Sequence, residues 1–153
     1  MQIPDLSVTL PDGAPLRLRD LVGAAAVVYF YPKADTPGCT REAQDFSALA
    51  DAFAAAGATV VGVSKDTPAK LGKFATKHAL TIRLATDDTG AVCDAFGVWG
   101  EKQLYGRTYM GVQRATFLFA PDGGLLREWR KVRVPGHAQA VLDAAKGLGP
   151  ALG

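Results

Sequence analysis

The sequence predicts an α/β fold in which a mixed β-sheet carries helices on both faces. Two near-continuous apolar runs, residues 24–31 and 58–64, are typical of strands that are buried on both sides. Between them, residues 39–56 repeat apolar side chains at helical spacing, which makes strand, helix and strand a right-handed βαβ unit. Alternating segments separated by turns near both ends of the chain predict antiparallel hairpins, so the sheet is expected to be mixed.

The N-terminal half is expected to begin with a β-hairpin. Residues 6–10 and 16–18 alternate apolar with polar side chains around a Pro-Asp-Gly turn. Gly57 is expected to end the helix that follows the first buried strand. After the second buried strand, Thr67 caps a further helix and Pro68 occupies its first position.

The C-terminal half is expected to contain shorter elements. We predict a strand over residues 82–84, a short helix that follows Gly90 and ends at Phe96, a Gly-rich irregular segment over residues 97–113, a hairpin of residues 114–119 and 125–129, and a final amphipathic helix over residues 136–146. The hairpin is indicated by its Pro-Asp-Gly-Gly turn.

Length and composition indicate one globular domain that spans residues 1–153. The 48% apolar and 21% charged residues are ordinary, and a net charge of +2 gives no indication of nucleic-acid binding. No segment is apolar for long enough to span a membrane and no export signal is visible, so a cytoplasmic location is predicted. The densest basic set is interpreted as a solvated strand edge and loop: Arg127, Arg130, Lys131 and Arg133.

The most informative segment is residues 29–42, which contain one of the two cysteines. A buried strand leads into a turn rich in Pro and Gly, and Cys39 follows in what is predicted to be the first turn of a helix. The free N–H groups and the positive dipole end of a helix favour a thiolate, which is the reactive form of cysteine. Pro32 fixes the loop direction, and Thr36 can place a hydroxyl beside the sulfur. A reactive thiol is therefore predicted, with a buried, inert cysteine as the alternative.

This segment resembles the active-site pattern of the peroxiredoxin family. Pro32, Thr36 and Cys39 stand at the spacing P-x-x-x-T-x-x-C. The whole run over residues 29–42 is similar to the subgroup called bacterioferritin comigratory protein, or peroxiredoxin Q. Further stretches agree in the same order, namely residues 96–102, 106–109 and 114–117. The resemblance extends over about residues 3–147, and it implies a thioredoxin-like fold with an N-terminal hairpin extension.

The resemblance also implies a thiol peroxidase that reduces hydrogen peroxide and organic hydroperoxides. Cys39 would be the peroxidatic cysteine, whose thiolate attacks the peroxide and becomes a sulfenic acid. Thr36 would hydrogen-bond the sulfur and orient the peroxide, while Pro32 would shield the thiolate from water. Arg114 would be the active-site arginine, because a guanidinium keeps its charge and stabilises the leaving oxygen. Glu42 is a candidate for orienting Arg114, with a solvated residue or a simple ion pair as the alternative.

The recycling step is left open because the usual resolving cysteine is missing. Gln44 stands five positions after Cys39, where many members of this subgroup carry that cysteine. Other members carry it in the next helix, but the matching residues 73–77 contain no cysteine. Cys93 is the only other thiol of the sequence, and a half-buried structural residue is its simpler interpretation. Three routes remain: direct reduction by an external thiol, local unfolding that brings Cys93 to Cys39, or pairing between two molecules.

The leading hypothesis for function is a peroxidase that is recycled by thioredoxin or another thiol reductant. A stoichiometric peroxide sensor that uses the same Cys39 is the alternative, because slow recycling would turn a peroxidase into a switch. A binding module with an inert cysteine is disfavoured by the presence of Thr36, Pro32 and Arg114. The resemblance favours a monomer, with a dimer as the alternative.

The remaining candidate residues carry weaker signals. His78 and His137 lack partners at catalytic spacing and are interpreted as surface residues. Trp99 and Tyr105 belong to the predicted irregular segment, which either borders the active site or serves packing or a partner surface. No metal or cofactor is predicted, because the sequence lacks C-x-x-C, H-x-x-x-H and Cys/His clusters.

Overall fold

A seven-stranded mixed β-sheet forms the centre of the computed structural model, which describes residues 1–147. The strands are β1 (Ser7–Thr9), β2 (Pro15–Arg17), β3 (Ala25–Phe30), β4 (Ala58–Ser64), β5 (Arg83–Thr86), β6 (Trp99–Leu104), β7 (Arg107–Val112), β8 (Ala115–Phe119) and β9 (Leu125–Arg130). The helices are α1 (Pro37–Ala48), α2 (Ala50–Ala55), α3 (Pro68–Lys77), α4 (Ala91–Phe96) and α5 (His137–Lys146), with a 3-10 turn at Leu18–Leu21. Over the described residues, no helix has the length and apolar character needed to cross a membrane.

The large sheet has the mixed topology that the sequence predicts. Its strands lie in the order β2–β1–β5–β4–β3–β8–β9. The three central strands β3, β4 and β5 are parallel, as expected for strands joined by helices, and β8 lies antiparallel beside β3. The predicted hairpins β1–β2 and β8–β9 are confirmed at the two ends of the sheet. The predicted helix cap is also confirmed, because the Thr67 hydroxyl accepts the Lys70 N–H at 3.2 Å.

The apolar side chains form two cores, one on each face of the sheet. Successive residues of β3 point to opposite faces, so Val27 and Tyr29 pack on one side while Val28 and Phe30 pack on the other. The first core receives residues of α1, α2, α3 and α5, and the second receives residues of α4 and of the 3-10 turn. The two cysteines are divided in the same way: Cys39 belongs to the first core and Cys93 to the second.

The predicted helix over residues 39–56 is in fact two helices. Leu49 separates α1 from α2 with φ −100° and ψ 7°. Thr81 donates its hydroxyl to the Ser47 carbonyl at 3.3 Å, and its N–H to the Ser47 hydroxyl at 3.1 Å. Because a distant side chain shares this carbonyl, regular helical bonding is weakened at the break. Local spacing carries no trace of such a contact, since Thr81 lies 34 residues further along the chain.

The prediction of an irregular segment over residues 97–113 is wrong. Most of the segment forms an antiparallel ribbon of β6 and β7, separate from the large sheet. Tyr105 and Gly106 form its two-residue turn with φ values of 51° and 77°, which are typical of a type I′ hairpin turn. Most ribbon side chains are exposed, so the sequence lacks the apolar alternation that reveals a half-buried strand.

The close packing of β3 and β4 depends on a glycine. Gly62 lies opposite Tyr29 in the register, and a Cβ atom at Gly62 would lie only 2.6 Å from Cζ of the Tyr29 ring. The ring therefore occupies the space that any larger residue would need, and this holds Tyr29 in place below α1, where it stacks on Phe46 at 4.6 Å.

We expect Gly62→Ala to lower the free energy of unfolding by about 1–3 kcal/mol, because the added methyl group overpacks the Tyr29 ring. Gly72→Ala in α3 is the matched control. Its Cβ would lie 3.7 Å from Pro11, and alanine is favoured over glycine in a helix by about 1 kcal/mol. Urea unfolding measures both variants. Equal stability of the two would contradict the tight contact at Gly62.

Candidate active site

Cys39 is the third residue of α1, which begins directly after the loop that leaves β3. Thr36 is the N-cap residue with an extended backbone (φ −88°, ψ 156°), and Pro37 fills the first helical position. The predicted helix start is therefore confirmed. Its place in the first turn puts the Cys39 sulfur beside the free N–H groups of the helix start. Cys39 is only 2% exposed, so the sulfur is also largely sheltered from water.

Arg114 brings a cation to this thiol. One terminal nitrogen, Nη2, donates to Sγ of Cys39 at 3.3 Å, and the other, Nη1, donates to Oε1 of Glu42 at 2.6 Å. The sheet produces this arrangement, because Ala115 pairs with Phe30 at the end of β3 from which the loop to α1 departs. Gly38 allows the close approach, since a Cβ there would lie 3.3 Å from Nη2 of Arg114.

Glu42 is the buried anchor of this arginine. It lies one helical turn after Cys39 and is 1% exposed, whereas the Arg114 side chain is 18% exposed. Oε1 accepts the arginine bond, and Oε2 has no hydrogen-bond partner among the described residues. Burial raises the pKa of Glu42 to about 7, although the Arg114 guanidinium acts in the opposite direction. Burial works to lower the pKa of Arg114, but the charges of Glu42 and Cys39 outweigh it and raise that pKa.

Pro32 and Thr36, the other two residues of the sequence pattern, lie near Cys39 but differ in their contacts. Pro32 is half-buried in the loop before α1. Thr36 donates its hydroxyl proton to the Lys33 carbonyl at 2.8 Å, and within residues 1–147 it makes no hydrogen bond to Cys39. This departs from the expected bond to the sulfur, because the loop turns back and presents the Lys33 carbonyl to the hydroxyl. The Thr36 oxygen keeps its lone pairs and can still accept a hydrogen bond from a ligand.

The loop between β3 and α1 is held by contacts that sequence reasoning missed. The Ala34 N–H donates to Oδ2 of Asp66 at 2.8 Å. Asp35, which has a φ of 63°, accepts from Nζ of Lys77 at 2.9 Å and lies 2.8 Å from Nε2 of His78. His78, interpreted as a surface residue, is half-buried and takes part in a surface contact with Asp35. Its link to Asp35 spans 43 residues, and the sequence offers no signal for it.

Comparison with known proteins identifies the family. The sequence profile of the AhpC/TSA family matches residues 1–127. The chain belongs to this family. Peroxiredoxin Bcp of Xanthomonas campestris pv. campestris is 45% identical over 142 residues, which are 93% of this chain and 89% of that protein. Peroxiredoxin Bcp of Bacillus subtilis is 43% identical over 145 residues, which are 95% of this chain and 92% of that protein.

Solved structures agree with this assignment. Bacterioferritin comigratory protein of Xanthomonas campestris, studied for alkyl peroxide reduction in trapped intermediate and ligand complexes, is 42% identical with a TM-score of 0.89 and 96% coverage of each chain. Peroxiredoxin 6 of Arenicola marina, at 18% identity, shows the fold alone, with a TM-score of 0.78 over 94% of this chain and 70% of that chain. The expected subgroup and thioredoxin-like fold are confirmed. This peroxiredoxin is thus an oxidoreductase of the thiol peroxidase type.

The second cysteine of the peroxiredoxin lies away from the first. Cys93 is 1% exposed on α4, in the core on the other face of the sheet. Its N–H donates to Oδ2 of the buried Asp87 at 2.8 Å. Burial and the Asp87 carboxylate raise the pKa of the Cys93 thiol to about 12. At neutral pH this thiol is therefore protonated and enclosed. Gln44, at the position where many members of the subgroup carry the resolving cysteine, is exposed on α1.

His137 is likewise not the surface residue that the sequence suggests. It is 7% exposed at the start of α5, and its Nε2 lies 2.7 Å from the Thr116 hydroxyl. Its ring packs edge-on against Phe46 and Trp129, with ring centroids 6.1 and 5.9 Å away. Burial, with a smaller contribution from the Arg114 charge, lowers the pKa of His137 to about 4. The neutral imidazole thus joins α5 to β8 and packs against α1 behind Arg114.

The ribbon lies beside Arg114, because its basic side chain Lys102 shares a cavity wall with that residue. A cavity of about 420 Å³ lies between the ribbon, the end of β9 and Arg114, and Lys102 lines it. Trp99 is 39% exposed, with the Lys65 ammonium 4.9 Å from its ring, and Tyr105 is 96% exposed at the ribbon tip. Neither aromatic residue lines this cavity.

The buried Glu42 predicts a distinctive pH dependence of stability. Its pKa is near 4.5 in the unfolded chain and about 7 in the folded chain, so the folded chain binds more protons between these values. Wild type should therefore lose stability as the pH rises through this window, by on the order of 3 kcal/mol relative to Glu42→Gln. Urea unfolding at pH 4.5 to 8 measures this difference. Glu101→Gln, at an exposed position of β6, controls for the loss of one carboxylate, and a pH-independent difference for Glu42→Gln would disprove the assignment.

Proposed function

We propose that this peroxiredoxin reduces hydrogen peroxide and organic hydroperoxides through a sulfenic acid at Cys39, and that an external thiol recycles it. The observation that carries the proposal is the contact of 3.3 Å between Nη2 of Arg114 and Sγ of Cys39. It joins a nucleophile at a helix start to a cation that buried Glu42 holds in place. The alkyl peroxide reduction studied in the Xanthomonas campestris relative supports the same substrate class.

The oxidation step needs only groups that meet at this site. The Cys39 thiolate attacks the terminal peroxide oxygen, an S–O bond forms, and the O–O bond breaks. The product is a sulfenic acid, and the leaving alkoxide or hydroxide takes a proton and departs as an alcohol or water. The N–H groups of Arg114 stabilise the negative charge that develops on the leaving oxygen. Thr36 accepts a hydrogen bond from the peroxide through its free lone pairs, and Pro32 shields the sulfur.

The fold argues against Cys93 as the resolving cysteine. A disulfide requires Cα atoms within about 7 Å, and the two thiols lie in cores on opposite faces of the sheet. Bringing them together would require the chain around one cysteine to leave its core and pass the edge of the sheet, which is a larger change than the fraying of one helical turn. Burial and a pKa of about 12 also keep Cys93 unreactive towards a second molecule.

An external thiol is therefore the reductant that the geometry favours. Thioredoxin, another dithiol protein or a small thiol can supply the two electrons, in a monomer acting in the cytoplasm. The alternative function is a stoichiometric peroxide sensor. The separation of the two cysteines supports it as well, because a chain without a reachable second thiol recycles only as fast as its external reductant permits. The rate of turnover with an external thiol separates the two functions.

Intact mass after one equivalent of hydrogen peroxide tests the proposal. Wild type and Cys93→Ser should both gain one oxygen that a sulfenic-acid trap captures at Cys39, while Cys39→Ser should gain none. The matched serine variants separate the two thiols. A loss of two hydrogens that requires both cysteines would establish a disulfide and refute the external route. If Cys39→Ser consumes peroxide as fast as wild type, the peroxidase assignment at this residue fails.

Replacing the arginine should slow the oxidation step itself. We expect Arg114→Gln to lower the rate constant for hydrogen peroxide by about 10²–10³-fold, because the leaving oxygen loses its donors. Stopped-flow oxidation measures the rate constant. Arg41→Gln is the control, since Arg41 lies two residues after Cys39 but pairs with Asp45 at 3.0 Å.

Because Arg114→Gln strands a buried carboxylate, the double variant with Glu42→Gln checks that folding is not the cause. The double variant should fold and remain slow. A wild-type rate in either folded variant would remove Arg114 from the mechanism.

A further inference from the structure

The loop between β3 and α1 is fixed to a neighbouring part of the sheet by one carboxylate. Asp66 lies between β4 and α3, and its Oδ2 accepts the Ala34 N–H at 2.8 Å. The Asp66 side chain is only 8% exposed and Ala34 is buried, so this hydrogen bond is formed away from solvent. A hydrogen bond to a carboxylate is shorter and stronger than one between neutral groups, so it holds the loop firmly at Ala34.

Asp66 is itself held in one orientation. The Ser64 hydroxyl donates to the same oxygen, Oδ2, at 2.9 Å, and the Asp66 N–H donates to the Ser64 hydroxyl oxygen at 3.2 Å. The other carboxylate oxygen, Oδ1, lies 3.2 Å from Nζ of Lys70, which is exposed. Because Ser64 is buried at the end of β4, the carboxylate is tied to the rigid centre of the sheet.

The hydrogen bond at Ala34 is linked to Thr36 through a single peptide group. The Ala34 N–H belongs to the same peptide group as the Lys33 carbonyl, which accepts the Thr36 hydroxyl proton at 2.8 Å. A peptide group is planar, so the direction of its N–H fixes the direction of its C=O. Asp66 therefore sets where the Thr36 proton is bound. An N–H that is bound to a carboxylate also makes its own carbonyl a better acceptor.

The orientation of the Thr36 hydroxyl matters for the oxidation step. While Lys33 binds its proton, the Thr36 oxygen offers only lone pairs to a peroxide. Over residues 1–147 the Thr36 hydroxyl makes no other hydrogen bond, and it does not cap α1. If the Lys33 carbonyl turned away, the hydroxyl would rotate among its staggered positions and would present its proton to the peroxide in part of the molecules.

We propose that Asp66 is a positioning residue, which acts through the Ala34 peptide to hold the Thr36 oxygen ready to accept a hydrogen bond from the peroxide. The inference rests on the proposed function, because it concerns how a peroxide is oriented at Cys39. Within the part of the chain that the structure describes, Asp66 makes no hydrogen bond to Cys39 or Arg114. The helix start and Arg114 therefore set the nucleophile, and Asp66 affects only the orientation of its substrate.

Two reactions of the same thiol test the inference. Hydrogen peroxide needs the oriented hydroxyl, whereas iodoacetamide needs only the Cys39 thiolate. We expect Asp66→Ala to slow oxidation of Cys39 by roughly three- to tenfold, the effect of one lost hydrogen bond, and to change alkylation by less than about twofold. Quenched mass spectrometry follows both reactions at Cys39, and urea unfolding records the stability of each variant.

Matched variants separate the hydrogen bond to Ala34 from the charge of Asp66. Asp66→Asn keeps an oxygen that can accept the Ala34 N–H, so it should restore a rate close to that of wild type. Lys70→Gln removes the exposed ion pair but keeps the carboxylate, and it should also react like wild type. Asp66→Ser, whose hydroxyl ends one bond short of the carboxylate oxygens, should be slow as well, and it replaces Asp66→Ala if the alanine variant unfolds.

A double-variant cycle shows whether Asp66 acts through Thr36. Thr36→Val keeps the shape of the side chain, and no capping bond is lost because the Thr36 side chain makes none. In the Thr36→Val chain, Asp66→Ala should change the oxidation rate by less than about twofold, because the hydroxyl that it orients is gone. An effect as large as in the wild-type chain would overturn the inference.

Three further results would also overturn it. Equal oxidation rates in wild type and Asp66→Ala would show that the peptide needs no carboxylate. Equal slowing of oxidation and alkylation would show that Asp66 only supports the structure of α1. A rate for Asp66→Asn as low as that of Asp66→Ala would exclude the hydrogen bond to Ala34 as the cause. If wild type itself forms no sulfenic acid at Cys39, the proposed function fails, whereas a peroxide-reactive Cys39 that ignores Asp66 defeats the inference alone.

Discussion

One guanidinium group joins parts of the site that lie far apart in the chain. Arg114, just before β8, donates to Cys39 in the first turn of α1 and to Glu42 one turn later. The two contacts support each other. Burying the Glu42 carboxylate without the arginine would be costly, and without Glu42 the Arg114 side chain would be free to rotate away from Cys39. The contact between Arg114 and the thiol therefore rests on the alignment of β8 with β3, which places Ala115 opposite Phe30.

The same sheet that brings Arg114 to Cys39 separates this thiol from the second one. Alternating side chains of β3 create two cores, and each core holds one cysteine. Cys93 is enclosed with Asp87, which accepts its N–H and keeps the thiol protonated. The ribbon and the end of β9 leave a basic cavity beside Arg114. The ribbon, absent from the predicted elements, supplies part of the wall of this cavity.

The accuracy of the predictions follows the range of the interactions involved. The buried strands, the cap at Thr67 and the start of the helix that carries Cys39 were predictable, because apolar runs, Pro and Gly act within a few residues. The break at Leu49 was not, since the contact that accompanies it comes from Thr81, 34 residues further along the chain. The ribbon was not predicted because most of its side chains are exposed, so its sequence lacks the apolar alternation that marks a half-buried strand. The burial of His137 arises from the packing of α5 on α1, which no local pattern reports.

By itself, the sequence determined the α/β class, the position of Cys39 at a helix start and the family to which the chain belongs. Those conclusions rest on neighbouring residues and on motif order. Only the tertiary structure decided that Arg114 reaches the sulfur, that the Thr36 proton is directed to Lys33, and that Cys93 lies across the sheet. The reason is that these relations depend on which strands pair and which faces pack, and packing joins residues that are tens of positions apart.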